Sequence, residues 1–252
     1  MKNILGIDVG GTKIASALVE NGLKLKNLQV VATSQTDLVR QLIELIKNQA
    51  DFDAIGLAVP GPVLADGTVI RLPNIANFQR VNLKTLLEEQ FKVPVAIVND
   101  AKAFAFAEAN VGQAQNNKVV AGAILGTGVG VGIVMDKKIY FGKDGVAGEL
   151  EHVTLLDGSM FRARRHDAGE FKTAAAAKAY LKTLFDMIIL SFNPDVIVLG
   201  GGWSNLPGME EAANELTINV GDYENQTPVK ISKLQYPGLL GAALFTELKP
   251  KE

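Results

Sequence analysis

The sequence predicts an α/β protein built from two similar units, and three features of the chain support this. Short apolar segments typical of buried strands alternate with segments of helical periodicity. Glycine turns at 10–12 and 126–128 each follow a predicted strand and precede a predicted hairpin. The 252 residues, of which 48% are hydrophobic, suffice for a full core without cross-links. We therefore expect a duplicated α/β unit with a cleft between the copies.

The first half of the chain alternates predicted strands with predicted helices. Asn21-Gly22 joins two apolar segments, and this dipeptide is a favoured hairpin turn because both positions accept a positive φ. One face of the first predicted helix is apolar, with Leu38, Leu42, Leu45 and Ile46. The predicted strands are 4–8, 13–19, 23–31, 54–59 and 95–98, and the predicted helices are 36–49, 83–91 and 101–109.

The second half of the chain repeats the order of strand, glycine turn and hairpin. A strand is predicted over 119–125, and Asp136-Lys137-Lys138 lies near the turn of the next hairpin. The later elements are a long helix over 174–192, a strand over 195–199 and an amphipathic helix over 239–248. The polar segment 111–118 is the best candidate boundary. We therefore expect domains at 1–116 and 117–238, with the helix in 239–252 packing back on the first.

Composition excludes several classes of function. The 25 Lys and Arg residues nearly balance the 27 Asp and Glu residues, which argues against a nucleic-acid partner. The absence of cysteine excludes disulfides and thiolate metal sites and suits the cytoplasm. The longest uncharged run, 119–135, contains five glycines and is shorter than the about 20 residues of a membrane span. The start, MKNILGID, is too polar for a signal peptide. We expect a cytoplasmic protein with no membrane partner, and a two-fold homodimer is the default assembly.

The glycine turns suggest an anion site, because backbone N–H groups can converge where no Cβ blocks the approach. Neither turn matches a P-loop or a dinucleotide fingerprint. Tight hairpin turns without a ligand are the alternative. Asp8, at the end of a buried strand, is costly unless it is paired. Magnesium near nucleotide phosphates would pair with it, and capping of the turn's own amides is the alternative.

Asn99 and Asp100 lie between a predicted strand and a predicted helix. The simplest interpretation is a helix N-cap, since Asn and Asp are preferred there. The functional interpretation starts from the end of a strand, where α/β folds hold ligands. There Asp100 would accept the proton of a hydroxyl group that attacks a γ-phosphate.

Together these stretches resemble the ROK family, the sugar kinases and repressors of the actin-like ATPase superfamily. GIDVGGTK resembles the family's first phosphate motif, LGTGVGVGIV the second, and VIVLGGG the stretch that closes over adenosine. The resemblance implies the actin-like ATPase (ribonuclease H-like) fold, with two α/β domains around a central cleft. It also implies ATP, with Mg²⁺ near Asp8. The implied nucleotide residues are Asp8, Gly10, Gly11, Thr12, Lys13, Gly126, Thr127 and Gly128 for the phosphates and Gly200, Gly201 and Gly202 for adenosine.

The resemblance also covers the sugar side of the site. VNDAK resembles the N-D-A motif, in which the aspartate, here Asp100, is the catalytic base. GVAGELEH resembles the motif G-E-x-G-H, although Glu151 replaces the usual glycine. A structural role is the alternative for the histidine of this motif. The residues implied for sugar binding are Asn74, Asn99, Asp100, Glu149, His152 and Glu170.

The family's structural zinc is not expected here. In the family, the histidine of G-E-x-G-H joins a cysteine-rich loop, but FRARRHDAGE has Phe161, Ala163 and Ala168 at the cysteine positions. Tetrahedral zinc needs four N, S or O ligands, and His166 and Asp167 stand at the wrong spacing to supply them. We expect Phe161 and Phe171 to anchor the segment instead. The arginines at 162, 164 and 165 are interpreted as a solvated face.

The resulting expectation is an ATP-dependent hexose kinase with glucose as the preferred substrate. Kinases for N-acetylmannosamine, N-acetylglucosamine or fructose are alternatives within the family, and polyphosphate is an alternative donor. A repressor is disfavoured, since the first phosphate motif begins almost at Met1 and no basic helix precedes it. A non-catalytic sugar-binding protein that has lost the zinc loop is the third hypothesis.

Overall fold

The computed structural model describes residues 3–20, 24–49, 51–72, 75, 78–126, 128–163 and 171–248. These residues form two five-stranded mixed sheets, two small two-stranded sheets and the helices that cover them. In this part of the chain, no helix combines the length and the apolar character needed to cross a bilayer.

Contacts divide the chain into two compact units. The first unit contains Met1–Ala107, Phe141–Val146 and Gln235–Glu252, and the second contains Glu108–Tyr140 and Ala147–Leu234. Each unit has a hydrophobic core of its own. The domain boundaries suggested by the sequence, at 116 and 238, stay a prediction.

The first half of the chain alternates groups of strands with single helices. The strands are β1 (Ile4–Val9), β2 (Lys13–Glu20), β3 (Lys24–Ala32), β4 (Ala54–Val59), β5 (Thr68–Arg71), β6 (Gln79–Asn82) and β7 (Val95–Asn99). The helices are α1 (Leu38–Lys47), α2 (Leu83–Phe91) and α3 (Asp100–Val111).

The second half supplies the remaining elements. Its strands are β8 (Val119–Leu125), β9 (Val129–Met135), β10 (Lys138–Ile139), β11 (Val196–Gly200), β12 (Ile218–Val220), β13 (Tyr223–Gln226) and β14 (Val229–Ile231). Its helices are α4 (Ala174–Phe192), α5 (Met209–Leu216) and α6 (Pro237–Leu248), of which α6 belongs to the first unit.

The two large sheets have the same topology. The first runs β3-β2-β1-β4-β7 and the second runs β10-β9-β8-β11-β14. In each sheet the first three strands pair antiparallel, the central strand pairs parallel with the fourth, and the fourth pairs parallel with the fifth. The repeated pattern in the sequence therefore corresponds to a repeated structural unit. Because parallel strands end at the same edge, the carboxyl ends of β1, β4 and β7 meet at one edge of the first sheet.

Helix α6 packs on β1, β4 and β7 at very short range. A Cβ at Gly56 would lie 2.3 Å from the carbonyl oxygen of Ala242, and a Cβ at Gly241 would lie 1.8 Å from that of Ala103 in α3. Neither distance can be accommodated without moving backbone, so glycine at both positions allows the close approach of α6 to β4 and α3. This packing fixes α6 relative to β1, where Asp8 lies.

Most long elements agree with the sequence predictions to within a few residues. The predicted helix 36–49 is shorter, since the Asp37 side chain accepts a hydrogen bond from the Arg40 amide and caps α1 there. The sequence analysis missed β5, β6, α5 and the short strands β12 to β14, because their apolar patterns are too short to recognise. The predicted Asn21-Gly22 turn lies outside the described residues.

Candidate functional site

Asn99 connects two strand ends at the carboxyl edge of the first sheet. Its side chain is buried, and Nδ2 donates to the carbonyl oxygen of Gly61, in the turn after β4, at 3.3 Å. Its Oδ1 accepts from the Lys102 amide at 3.2 Å, so Asn99 is the N-cap of α3. The N-cap interpretation is therefore correct for Asn99. Both ends of this amide are used to hold β7, β4 and α3 together.

Asp100 is the first residue of α3, and its carboxylate is held in a fixed orientation. Its Oδ1 accepts from Asn99 Nδ2 at 3.0 Å and from the Ala101 amide at 2.8 Å. The N-terminus of a helix also favours a negative charge at this position. The local structure thus keeps a half-buried carboxylate at the end of a strand without burying it in the core.

Asp8 lies near Asp100 and is electrostatically coupled to it. Burial, and secondly the negative charge of Asp100, raises the pKa of Asp8 to about 7. The Asp8 side chain retains partial contact with solvent, as expected of a group that can receive a ligand. Two close carboxylates favour either a proton or a cation between them, because each charge destabilises the other. This pair therefore suits a divalent cation.

Gly238, the second residue of α6, leaves room for the Asp8 carboxylate. A Cβ at Gly238 would lie 2.4 Å from Asp8 Oδ2 and 2.7 Å from Asp8 Cγ. Any other residue at position 238 would displace the whole carboxylate. The sequence analysis missed this residue, since only the tertiary structure brings the start of α6 to the end of β1.

The first glycine turn joins β1 to β2 and is held from one side. The Gly10 amide donates to the Lys13 carbonyl oxygen at 2.8 Å and closes the turn. Thr33 Oγ1 donates to the Gly10 carbonyl at 2.8 Å, and Gln35 Nε2 donates to the Gly11 carbonyl at 3.0 Å. These side chains direct the two carbonyl groups towards the segment after β3.

The second glycine turn, between β8 and β9, is open where the first is held. The Gly126 amide donates to the Gly128 carbonyl oxygen at 3.0 Å, and a Cβ at Gly126 would meet no atom within 4 Å. Packing among the described residues therefore gives no reason for glycine at 126, whereas close approach of a ligand does. The same is true of Gly202. Gly201 differs, since its φ is +85° and a Cβ there would lie 2.4 Å from the Leu125 carbonyl oxygen.

Two of the predicted sugar-binding residues, Glu149 and His152, lie on a short 3-10 turn: His152 ends the turn Leu150–His152 and Glu149 is its N-cap. Gly148, with a φ of +89°, anchors its start, because a Cβ there would lie 2.1 Å from the Val131 carbonyl oxygen in β9. His152 Nε2 lies 3.9 Å from Glu149 Oε2, and both side chains are partly exposed. The turn therefore presents a carboxylate and an imidazole side by side.

Glu151, which replaces the expected glycine, connects this turn to α4. The Tyr180 hydroxyl donates to Glu151 Oε1 at 3.0 Å. The other carboxylate oxygen would lie 3.8 Å from a Cβ at Gly128, so Glu151 also lies beside the second glycine turn. Nothing in the sequence identifies Tyr180 as its partner.

The predicted anchors Phe161 and Phe171 are both buried and both contact the Tyr180 ring. Within the described ranges there is no group of three or more His, Cys, Asp or Glu residues that could hold a metal ion. The residues at 161 and 163 are a phenylalanine and an alanine, which do not fit zinc.

Arg162 is exposed, as a solvated face requires. Asn74, Thr127, Glu170 and the rest of 164–170 lie outside the described residues.

The raised pKa of Asp8 leads to a prediction about stability. The folded protein holds the Asp8 proton more tightly than the unfolded chain, whose Asp pKa is near 3.8. The free energy of unfolding should therefore fall as the pH rises from about 4 to about 7. For Asp8→Asn we expect a Tm near pH 8 that is about 3–8 °C higher than in the wild type, or roughly 1–2 kcal/mol at this chain length. Thermal unfolding across this pH range measures it.

Burial also raises the pKa of Glu108, so the wild-type profile alone does not isolate Asp8. The difference between the wild type and Asp8→Asn does. Parallel pH profiles for the two proteins would show that the Asp8 carboxyl is not destabilised in the fold.

The chain is similar to known proteins over most of its length. The sequence model of the ROK family matches residues 4–164. The chain is 31% identical to an N-acetyl-D-glucosamine kinase of Vibrio parahaemolyticus, covering 79% of this chain and 84% of the relative. It is 26% identical to the glucokinase of Thermotoga maritima over 95% and 96% of the two chains. A ROK hexokinase from Thermus thermophilus superposes with a TM-score of 0.78 at 29% identity, over 99% of both chains. The chain therefore belongs to the ROK family and has the actin-like ATPase fold.

Proposed function

We propose that this ROK sugar kinase transfers the γ-phosphoryl group of ATP to a hydroxyl group of a hexose, with Asp100 as the general base. The observation that carries the proposal is the Asp8–Asp100 pair. One carboxylate is oriented by two hydrogen bonds at the start of α3, and the second, coupled to it, lies at the end of strand β1 in the same sheet. Phosphoryl transfer needs a positioned base and a positioned cation, and these two carboxylates suit those roles.

Asp100 performs the proton transfer. Its carboxylate accepts the proton of the sugar hydroxyl while the hydroxyl oxygen attacks the γ-phosphorus, and ADP leaves as the bond to the β-phosphate oxygen breaks. Asn99 Nδ2 and the Ala101 amide hold the carboxylate in place before the substrate arrives. Asn99 thus orients the base through Oδ1 of Asp100. A contact of Asn99 with the sugar itself stays a prediction.

Asp8 would hold Mg²⁺ together with the phosphates of the nucleotide. Magnesium in kinase sites is typically bound by one or two carboxylates plus phosphate oxygens and water, so a full set of protein ligands is not needed. The coupling of Asp8 to Asp100 supports this, because a cation stabilises both charges. When bound, the ion neutralises charge that develops on the phosphates.

The glycine turns support ATP as the donor. Gly126 and Gly202 have open space where a Cβ would be, which leaves room for phosphates and adenosine to approach the backbone. At the first turn, Thr12 and Lys13 are exposed, and Lys13 brings a positive charge. Gly10, Gly11, Gly128, Gly200 and Gly201 are proposed to contribute to nucleotide binding, as the family resemblance implies.

Glucose and an N-acetylhexosamine are the leading substrates. A glucokinase matches nearly the whole chain, whereas the N-acetyl-D-glucosamine kinase has higher identity over a shorter part. Glu149 and His152 are proposed to bind sugar hydroxyl groups, because a carboxylate and an imidazole at 3.9 Å can accept and donate to adjacent hydroxyls. Glucose is our first choice.

Asp100→Asn should abolish turnover while sugar binding is retained. The amide keeps the shape of the side chain but cannot accept the proton, so kcat should fall by about 10²- to 10⁴-fold. ADP release measures turnover, and isothermal titration measures binding of the sugar. Wild-type activity in this variant would exclude Asp100 as the base.

Gly238→Ala should lower activity much more than stability. The added methyl group displaces the Asp8 carboxylate, and we expect kcat/KM to fall by roughly 10- to 100-fold. Gly67→Ala is the matched control, because its φ is +84° and its Cβ would meet the Lys84 side chain at 2.3 Å rather than Asp8, so it should mainly lower the Tm. Equal losses of activity and of Tm in both variants would contradict a specific role for Gly238.

A substrate panel tests the proposed function directly. We expect ATP-dependent ADP release with glucose, and a second series with N-acetylglucosamine, N-acetylmannosamine, fructose and mannose identifies the preferred sugar. Polyphosphate replaces ATP in a parallel series and should support less turnover. No ADP release with any sugar, under conditions where titration detects sugar binding, would favour the non-catalytic alternative.

A further inference from the structure

We propose that Tyr180 is a positioning residue for the sugar-binding turn, acting through its hydrogen bond to Glu151. This inference rests on the proposed function, because Glu149 and His152 of that turn are the proposed sugar ligands. Tyr180 itself is buried in α4 and would not contact the sugar.

The hydrogen bond from Tyr180 to Glu151 is well placed for this role. The hydroxyl group donates to Oε1 at 3.0 Å, and bonds to an ionised acceptor are stronger than neutral ones. Glu151 is the central residue of the turn Leu150–His152, so this bond holds the turn between its two proposed ligand residues. Glu151 also lies beside Gly128, so the sugar-binding turn and the second glycine turn are spatial neighbours.

The ring of Tyr180 is immobilised by three other aromatic rings. Phe161 stacks on it with centroids 4.4 Å apart and planes 12° from parallel, and Phe171 lies 5.9 Å away. Trp203, on the 3-10 turn Gly202–Asn205, lies 6.2 Å from Tyr180 and 4.8 Å from Phe171. Contacts with three neighbouring rings restrict tilting of the Tyr180 ring and so define the position of its hydroxyl group. We call these four residues the aromatic cluster.

The turn needs such an anchor because few side chains of the next segment are buried in the core. The described side chains from His152 to Thr154 and from Leu156 to Gly158 are exposed, and Leu156 is fully so. The chain becomes buried again at Phe161, whose amide donates to the Val153 carbonyl oxygen at 2.8 Å. The aromatic cluster therefore holds both ends of this exposed segment. One end is held by the hydrogen bond from Tyr180 to Glu151, and the other is Phe161, which belongs to the cluster.

The aromatic cluster also explains how the chain can do without a metal in this region. Zinc requires N, S or O donors, and Phe161 and Ala163 provide none. Phe161 and Phe171 are described residues on either side of 164–170, and both pack on Tyr180. Apolar packing and the Tyr180–Glu151 hydrogen bond, rather than metal ligation, thus hold the described residues on either side of 164–170.

Tyr180→Phe tests the role of the hydroxyl group while the ring is retained. We expect KM for the hexose to rise by about tenfold, with KM for ATP and kcat nearly unchanged, because a ligand-positioning contact acts on sugar binding alone. Tyr140→Phe is the matched control, since it makes the same chemical change at an exposed tyrosine of the second unit. An unchanged hexose KM in Tyr180→Phe would overturn the proposal.

Hydrogen exchange provides a readout that does not depend on activity. Amides of 149–153 should exchange about fivefold faster in Tyr180→Phe than in Tyr140→Phe, because the turn loses its anchor. Glu151→Leu should have the same effect and should not add to that of Tyr180→Phe, whereas Glu151→Gln keeps the acceptor and should have less. Unchanged exchange would refute the anchoring role even in an active kinase.

If the wild type phosphorylates no sugar, the proposed function fails, but exchange still decides the role of Tyr180. One zinc per purified chain would refute the metal-free anchor.

Discussion

The close packing of α6 on the first sheet is the constraint on which the candidate site depends. Gly56 and Gly241 allow the backbone of α6 to reach β4 and α3, and this approach brings Gly238 against the carboxylate of Asp8. Asp8 is thereby kept in an unfavourable position, half-buried and beside the charge of Asp100. A fold usually tolerates such destabilised charges where a ligand later compensates them. The first unit therefore packs α6 on its core, and the start of that helix lies against the Asp8 carboxylate.

The two units have the same strand order but differ at the glycine turn that follows the central strand. In the first unit, Asp8 precedes the glycine turn that follows the central strand β1. The side chains of Thr33 and Gln35 donate hydrogen bonds to the carbonyl groups of this turn. In the second, the equivalent turn has no acidic residue before it and Gly126 is open. Duplication explains the shared topology, and the two turns have diverged in the residues that precede and hold them.

In the second unit, Glu151 departs from the family motif and also forms a structural hydrogen bond. Glu151 replaces a glycine that the family resemblance leads one to expect, yet its partner Tyr180 lies 29 positions away on α4. The aromatic cluster around Tyr180 connects the turn Leu150–His152 with the 3-10 turn Gly202–Asn205, which carries Trp203. Substitutions that look damaging in a motif are therefore interpreted correctly only with their spatial neighbours.

The sequence by itself determined the fold class, the family and the two turns, because apolar periodicity and glycine spacing are local properties that need no partner. It also identified Asp8 and Asp100, since a charge at the end of a buried strand is visible in the pattern. It could not decide between the N-cap and the functional interpretation at 99 and 100; the structure makes Asn99 the N-cap, and the catalytic role of Asp100 stays a proposal. Only the tertiary structure revealed Gly238 and Tyr180, because their roles arise from contacts between elements far apart in the chain, and no local pattern encodes which elements will touch.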